Sequence, residues 1–317
     1  MTEYINPVMA QNNHPLPAGF QLESYRIEKQ LSHGGFAIVY LAHDSHDTPV
    51  AIKEYLPNSL ALRGSDAVMP TITPQHQAAF NHGLKCFFEE GRAVARLDHP
   101  YLVRVTDFFR ANGTVYLVMR YERGRTLQDH IHRHSGPLHE HFLSELFGRL
   151  LDGLDEVHSN GLLHLDIKPA NIYLRADGTP VLLDFGAARQ ALQGDGEYLK
   201  GMYTPGYAAP EQYRGRNDLG PWTDVYAVGA CLYSCLARSA PQTADARLER
   251  DELQFAAKRW RGQYSANFLA LIDRCLRLDH TQRPADARTL QLALLDGTLP
   301  PGAASSLLGR LRGLLGA

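Results

Sequence analysis

Between residues 25 and 121 apolar and polar positions alternate in short runs, the pattern of strands with one buried face. YRIEKQL, FAIVYLAHD and PVAIKEYL read as three strands, with SHGG and SHDT as the turns between them. Phe80, Leu84, Phe87, Val94 and Leu97 then trace a helical stripe that stops at Pro100. YLVRVTDFFR and VYLVMRY supply two more strands around the turn Ala111-Asn112-Gly113. The pattern predicts a β-rich lobe of five strands and one helix.

Past Arg123-Gly124 the apolar spacing lengthens to that of helices. Residues 126–134 and 139–160 read as helices, the second burying Leu143, Leu146, Phe147, Leu150, Leu151 and Leu154. NIYLRADGTPVLLDFG holds short strands with a turn at Asp177-Gly178. A long Gly-rich loop and further helices follow, to about residue 296. Residues 1–24 lack periodicity and are rich in Asn, Gln and Pro, which predicts a mobile arm. The main domain is then 25–295, divided into lobes at about 25–121 and 122–295. Residues 296–317 form a weakly amphipathic tail, read as a packing or frayed helix, with a membrane-surface or partner helix as the alternative. The polar stretch 58–77 has two readings, an ordered hairpin over the small lobe or a docking site.

Composition narrows the function classes. The 317 residues are 44% hydrophobic and 21% charged, ordinary for a soluble enzyme and too apolar for a disordered chain. Lys+Arg 32 against Asp+Glu 34 argues against bulk nucleic-acid binding. The four cysteines are too scattered for a disulfide framework, and Cys231 and Cys235 share one helix face as core residues. The first residues lack the cationic and apolar regions of a secretory signal. The longest apolar run, Val225 to Ala237, is too short and too interrupted for a transmembrane segment. The chain therefore reads as cytoplasmic and reduced. Of the histidines, His130, His132 and His134 alternate, which on a helix scatters them and argues against a shared metal.

Four motifs in fixed order carry the chemistry: LSHGGFAIVY, VAIK ending at Lys53, HLDIKPAN with His164, Asp166, Lys168 and Asn171, and DFG from Asp184. Glycine in the first lets backbone N–H groups approach phosphate oxygens. Strand alternation puts Ala51 and Lys53 on one face. In this order, with Ala209-Pro210-Glu211 downstream, the chain resembles the eukaryotic-type (Hanks-type) serine/threonine protein kinases over roughly residues 25–295. IKEYLP and TPGYAAPEQ resemble bacterial members.

That resemblance implies an α+β, bilobal protein-kinase-like fold: a small antiparallel N-lobe with one main helix and a larger, mainly helical C-lobe. It also implies ATP and Mg²⁺ as cofactors. The loop positions correspond to Ser32, Gly34, Ala37 and Val39, so only the central glycine is kept, with Gly35 beside it. Ala51 would floor the adenine and Met119 gate the back of its pocket. Tyr121 and Glu122 would offer backbone hydrogen bonds to its edge, and Tyr173 completes the nucleotide set. Lys53 would hold phosphate with Glu90 as its carboxylate partner. Asp166 would orient the attacking hydroxyl and Lys168 neutralise the transferred phosphoryl group, while Asn171 and Asp184 ligate metal. Arg283 would partner a buried Glu211, and Asp224 would tie down the HLD loop.

The expected activity is γ-phosphate transfer to Ser or Thr of protein substrates in cytoplasmic signalling. The rivals are a pseudokinase scaffold, which would ordinarily have lost Lys53, Asp166 or Asp184, and a small-molecule kinase. Two further positions bear on regulation. Leu165 stands where many kinases place a phosphate-binding Arg, and Thr204 is the only Ser or Thr in residues 187–207. Both imply activity without activation-loop phosphorylation, with control by a regulatory protein partner, by the N-terminal arm or by expression level.

Overall fold

The computed structural model describes residues 13–185, 204–213 and 218–297. Residues 1–12, most of the Gly-rich loop and the tail from residue 298 lie outside them. The described chain forms two compact units, 13–96 with 104–121, and 97–103 with everything from Glu122 onward.

The first unit is an antiparallel six-stranded sheet in the order β1-β2-β3-β4-β6-β5. Its strands are β1 (Gln21–Leu22), β2 (Tyr25–His33), β3 (Ala37–His43), β4 (Pro49–Tyr55), β5 (Val105–Ala111) and β6 (Thr114–Arg120). The sixth strand corrects the count of five: a two-residue strand is too short to show periodicity. The β5–β6 turn places Asn112 and Gly113 at φ 51° and 71°, left-handed values that Asn and Gly tolerate and that suit a tight hairpin.

One helix, α1 (Gln77–Val94), covers part of one face through Phe80, Phe87, Gly91 and Val94. A methyl group at Gly91 would overlap the Leu117 side chain of β6, so any larger residue there would force Leu117 to move. The opposite face carries Tyr40, Glu54, Tyr116 and Val118, all fully buried. Beneath it lie the chain before β2 and the segment after β4, and here the mobile-arm expectation is corrected for residues 13–24. Asn13, Leu16 and Leu22 are buried, and Leu22 pairs with Tyr25. The anchors of Asn13 and Leu16 are residues far along the chain, which local composition does not reveal. The stretch 58–77 is ordered too, closed by the Leu62–Thr71 bridge.

The second unit builds on a three-stranded antiparallel sheet, β7 (Gly124–Thr126), β8 (Ile172–Arg175) and β9 (Pro180–Leu182). Gly178 turns the β8–β9 hairpin at φ 82°. Packed with it are α2 (Leu127–Arg133), α3 (Glu140–Ser159), α4 (Pro221–Ala237), α5 (Ala244–Glu249), α6 (Ala256–Arg259), α7 (Ala266–Cys275) and α8 (Ala287–Asp296). Every residue of α4 from Thr223 to Cys235 is buried, including both cysteines, as expected for core positions. This all-round burial makes α4 the central post on which the HLD loop hangs.

Candidate active site

In the first unit the antiparallel register sorts residues by face. Val39 opposes Lys53, and Ala51 opposes Met119, so all four lie on the face that α1 partly covers. Val39 and Ala51 are half-exposed, Met119 is buried, and Ala51 is small enough to leave a shallow apolar floor. Lys53 is only 5% exposed, its ammonium 5.4 Å from the centre of the Phe87 ring. Phe87, Glu90 and Gly91 share one face of α1, so the turn over Lys53 also bears Glu90. Glu89 is turned outward, half-exposed and 3.6 Å from Arg92.

The glycine-rich loop spans the turn from Ser32, which pairs with Val39, to Ala37. Gly34 N–H donates to Ala37 O at 3.0 Å. The loop tip is held from the far side of the turn: Leu56 N–H donates to Phe36 O at 3.1 Å and Asn58 N–H to Gly35 O at 2.9 Å. Phe36 is buried edge-on against Tyr55, ring centres 5.2 Å apart. Neither Gly34 nor Gly35 adopts a left-handed φ, so the freedom glycine confers is not used in this conformation.

A cluster invisible to motif reading lies one residue from Lys53. Glu54 receives both ends of the Arg63 guanidinium, at 2.6 and 2.7 Å, and the hydroxyls of Tyr40 and Tyr116 at 2.7 and 2.8 Å. Burial opposes the charge on Arg63, but the hydrogen bonds and charge of Glu54 outweigh it and hold the guanidinium protonated. Burial, then the Glu54 charge, pushes both tyrosine hydroxyls well above their ordinary range. The one available signal was a Glu on an otherwise apolar inward strand face. Its partner's position could not be read from it.

In the second unit the catalytic-loop candidates are held from below. Asp224, wholly buried near the start of α4, accepts the backbone N–H groups of His164 and Leu165 at 2.8 and 2.7 Å. His158 lies 2.9 Å from the same carboxylate, an anchor that sequence reading missed. Burial alone would raise the Asp224 carboxyl; the His158 and backbone bonds override it and bring it below its ordinary range. His164 accepts the Asp166 N–H through Nδ1, and its Nε2 lies 2.8 Å from Leu183 O. Burial keeps this imidazole neutral by lowering its affinity for a proton. Phe185 packs on it at 4.7 Å.

Above this base Asp166, Lys168, Asn171 and Thr204 converge. Lys168 Nζ lies 2.9 Å from Asp166 Oδ2 and donates to Thr204 Oγ1 at 2.9 Å, while the Thr204 hydroxyl donates to Asp166 Oδ1 at 2.9 Å. Asn171 Nδ2 donates to Asp166 Oδ2 and to its backbone oxygen at 2.9 and 2.8 Å. Leu165 and Asp184 both sit at left-handed φ, 65° and 53°. For these side chains the conformation costs free energy, so the surroundings impose it. Gly186 lies outside the described residues.

Tyr121 and Glu122 are half-buried, and the Glu122 carboxylate is gripped at both oxygens by Arg175, each at 2.8–2.9 Å. Tyr173 stands on β8 opposite Thr126 and Val181. Glu211 and Arg283 pair through both ends, at 2.7 and 3.0 Å, with Thr223 also donating to Glu211.

Comparisons with known proteins bear on the family and the fold. The family profile described as "Protein kinase domain" matches residues 25–294. Serine/threonine-protein kinase PknL of Mycobacterium tuberculosis is 32% identical over 76% of this chain and 56% of its own length. The probable serine/threonine-protein kinase PknB of Lactococcus lactis is 30% identical over 70% of this chain and 33% of its own. The chain thus spans between a third and just over half of these relatives. A solved structure titled "PpkA-294 apo form" superposes with a TM-score of 0.79 at 34% identity, covering 89% of this chain and 99% of that one.

Proposed function

Because the chain belongs to the protein kinase family and several of its relatives are bacterial serine/threonine kinases, we propose that it transfers the γ-phosphate of ATP to Ser or Thr hydroxyls of proteins. The observation that carries this reading is the Asp166–Lys168–Thr204 arrangement beside Asn171. A carboxylate stripped of most solvent but not of hydrogen bonds is suited to accept or orient the proton of an attacking hydroxyl. The adjacent ammonium offers a fixed positive charge to a transferring phosphoryl group.

The donor set fits a hard divalent cation. Asn171 spends its amide N–H groups on Asp166, which leaves its side-chain oxygen as the ligating atom, and Asp184 supplies a carboxylate. Mg²⁺ bound there would neutralise phosphate charge and fix the triphosphate's orientation. Lys53, with Glu90 on the helix turn above it, is assigned to grip phosphate. Val39, Ala51 and Met119 are assigned to the adenine, with the backbones of Tyr121 and Glu122 at its edge and Tyr173 beyond. Signalling in the cytoplasm is the setting this activity fits; among the described residues no helix is long and apolar enough to cross a membrane.

The test is transfer of label from γ-labelled ATP, with Mg²⁺, to proteins of a host lysate. Wild type is compared with Asp166→Ala, Lys53→Ala and Asp184→Ala. Label on Ser or Thr that all three variants lose by orders of magnitude supports the reading. Turnover near wild type in the variants, or none in the wild type, overturns it.

A further inference from the structure

Asn13 lies upstream of the family match, which begins at residue 25, yet it is 1% exposed and uses its whole side-chain amide. Its Oδ1 accepts the Arg63 backbone N–H at 2.5 Å. Its Nδ2 faces Asn58 Oδ1 at 2.7 Å, Ala61 O at 3.2 Å and Leu56 O at 3.3 Å. His14 follows in the same manner, donating its N–H to Arg63 O at 3.0 Å and accepting from Arg63 Nε at 2.7 Å. Leu16 N–H donates to the Tyr40 hydroxyl at 3.1 Å. Residues 13–16 are thus a strap fastened to the turn that follows β4.

That turn is the one that grips the glycine-rich loop. Leu56 and Asn58 present their acceptors to Asn13 and their backbone N–H groups to Phe36 O and Gly35 O. The connection therefore runs Asn13, turn 56–61, loop tip, with hydrogen bonds at each joint. The loop has small residues in place of two family glycines, at Ser32 and Ala37, so its remaining freedom lies at Gly34 and Gly35. Gly35 is one of the two points the turn holds.

We propose that Asn13 is a positioning residue for the phosphate-covering loop: by fixing the 56–61 turn it sets where Gly35 and Phe36 stand, and with them the grip on the nucleotide triphosphate. This rests on the kinase reading for its consequence, but the clamp itself can be read without catalysis. Asn13 touches no reacting atom; it acts through Leu56 and Asn58. Arg63 gives the strap a second attachment and ties it to Glu54, the neighbour of Lys53 on β4.

The test uses the full chain and two substitution sites. Asn13→Asp keeps the acceptor for Arg63 N–H but turns a carboxylate toward three oxygen acceptors. Asn58→Ala removes one of those acceptors at a half-exposed position, and Asn58→Asp restores it. Three readouts are taken: KM for ATP against kcat, binding of a non-hydrolysable ATP analogue, and hydrogen exchange at the Leu56 and Asn58 amides. The expected result for Asn13→Asp and Asn58→Ala is an ATP KM raised about threefold to tenfold, the range set by losing one or two ordinary hydrogen bonds. The rise comes with kcat little changed and faster exchange at both amides, while Asn58→Asp recovers the wild-type values. A lowered melting temperature with KM, analogue binding and both exchange rates unchanged would make Asn13 merely structural and overturn the proposal. If Asn13→Asp does not fold, Asn58→Ala and its rescue decide the question alone. If the wild type transfers no phosphate, the kinase reading fails, and analogue binding and amide exchange still support or overturn the clamp.

Discussion

The Thr204 hydroxyl bridges Asp166 and Lys168, donating to the carboxylate and accepting from the ammonium, both at 2.9 Å. The bridge occupies the one hydroxyl that residues 187–207 offer to a Ser/Thr kinase, and Leu165 next to Asp166 cannot bind phosphate.

Thr204→Val removes the bridge while keeping the shape. Two charge-assisted hydrogen bonds worth about 1.5–3 kcal/mol each are lost, so kcat is expected to fall at least tenfold. Thr204→Ser should retain most of the activity, and Thr204→Glu should abolish it by setting a second carboxylate against Asp166. Phosphatase treatment of the wild type should leave the rate on an added substrate unchanged. A phosphate mapped to 187–208 whose removal silences the enzyme contradicts this.

Glu211 and Arg283 form a buried ion pair, and breaking one side leaves the other charge unpartnered. Arg283→Met is expected to cost about 3–5 kcal/mol of stability. Arg283 also donates to the backbone oxygens of Arg277, Trp222 and Leu278, so Arg283→Lys should recover only part. Denaturant unfolding of the three proteins reads the difference.

Asp224 is held below its ordinary carboxylate range in the folded chain, so the folded state binds its proton later than the unfolded state. Its contribution is complete above the unfolded value of about 3.9 and is lost as pH falls through the lower folded value. Stability should therefore decline below about pH 4 with a component of up to about 1.4 kcal/mol per pH unit. Asp224→Asn should be less stable at neutral pH and lack that component. Unfolding at pH 7, 4 and 3 checks both; parallel pH profiles for the two proteins would refute the assignment.

Burial pushes the Cys275 thiol up to about 12 and raises those of Cys231 and Cys235 strongly as well. The thiolate is the reactive form, so these three should resist an aromatic disulfide reagent at pH 8 in the native protein. Cys86, half-exposed on α1, should react alone, and denaturation should release four thiols. More than one fast native thiol would show that the α4 core opens.

Motif reading named most of the side chains that the second unit gathers around Asp166. His164, Asp166, Lys168 and Asn171 fall within eight residues, and the contacts expected of Asp224, Thr204 and the Glu211–Arg283 pair are the ones the fold makes. The first unit was legible on one face only. Alternation placed Ala51 with Lys53 and the stripe through Phe80 and Phe87 on a helix, because these are local consequences of strand and helix period. It did not reveal β1 or the second buried face, nor β7 in the second unit.

The sequence alone determined the five longer strands and the one helix of the first unit, the turn residues, and which side chains in each motif can hold a proton, a phosphate or a metal. These depend on residue type and on spacings of a few residues, within which backbone geometry is nearly constant. Only the tertiary structure decided that Asn13 and Arg63 belong to the neighbourhood of Lys53. Asn13 reaches Asn58, Ala61 and Arg63, and Arg63 reaches Tyr40. Such long-range pairs carry no period, and they become favourable only once folding has removed water from Glu54 and left its charge in need of a partner.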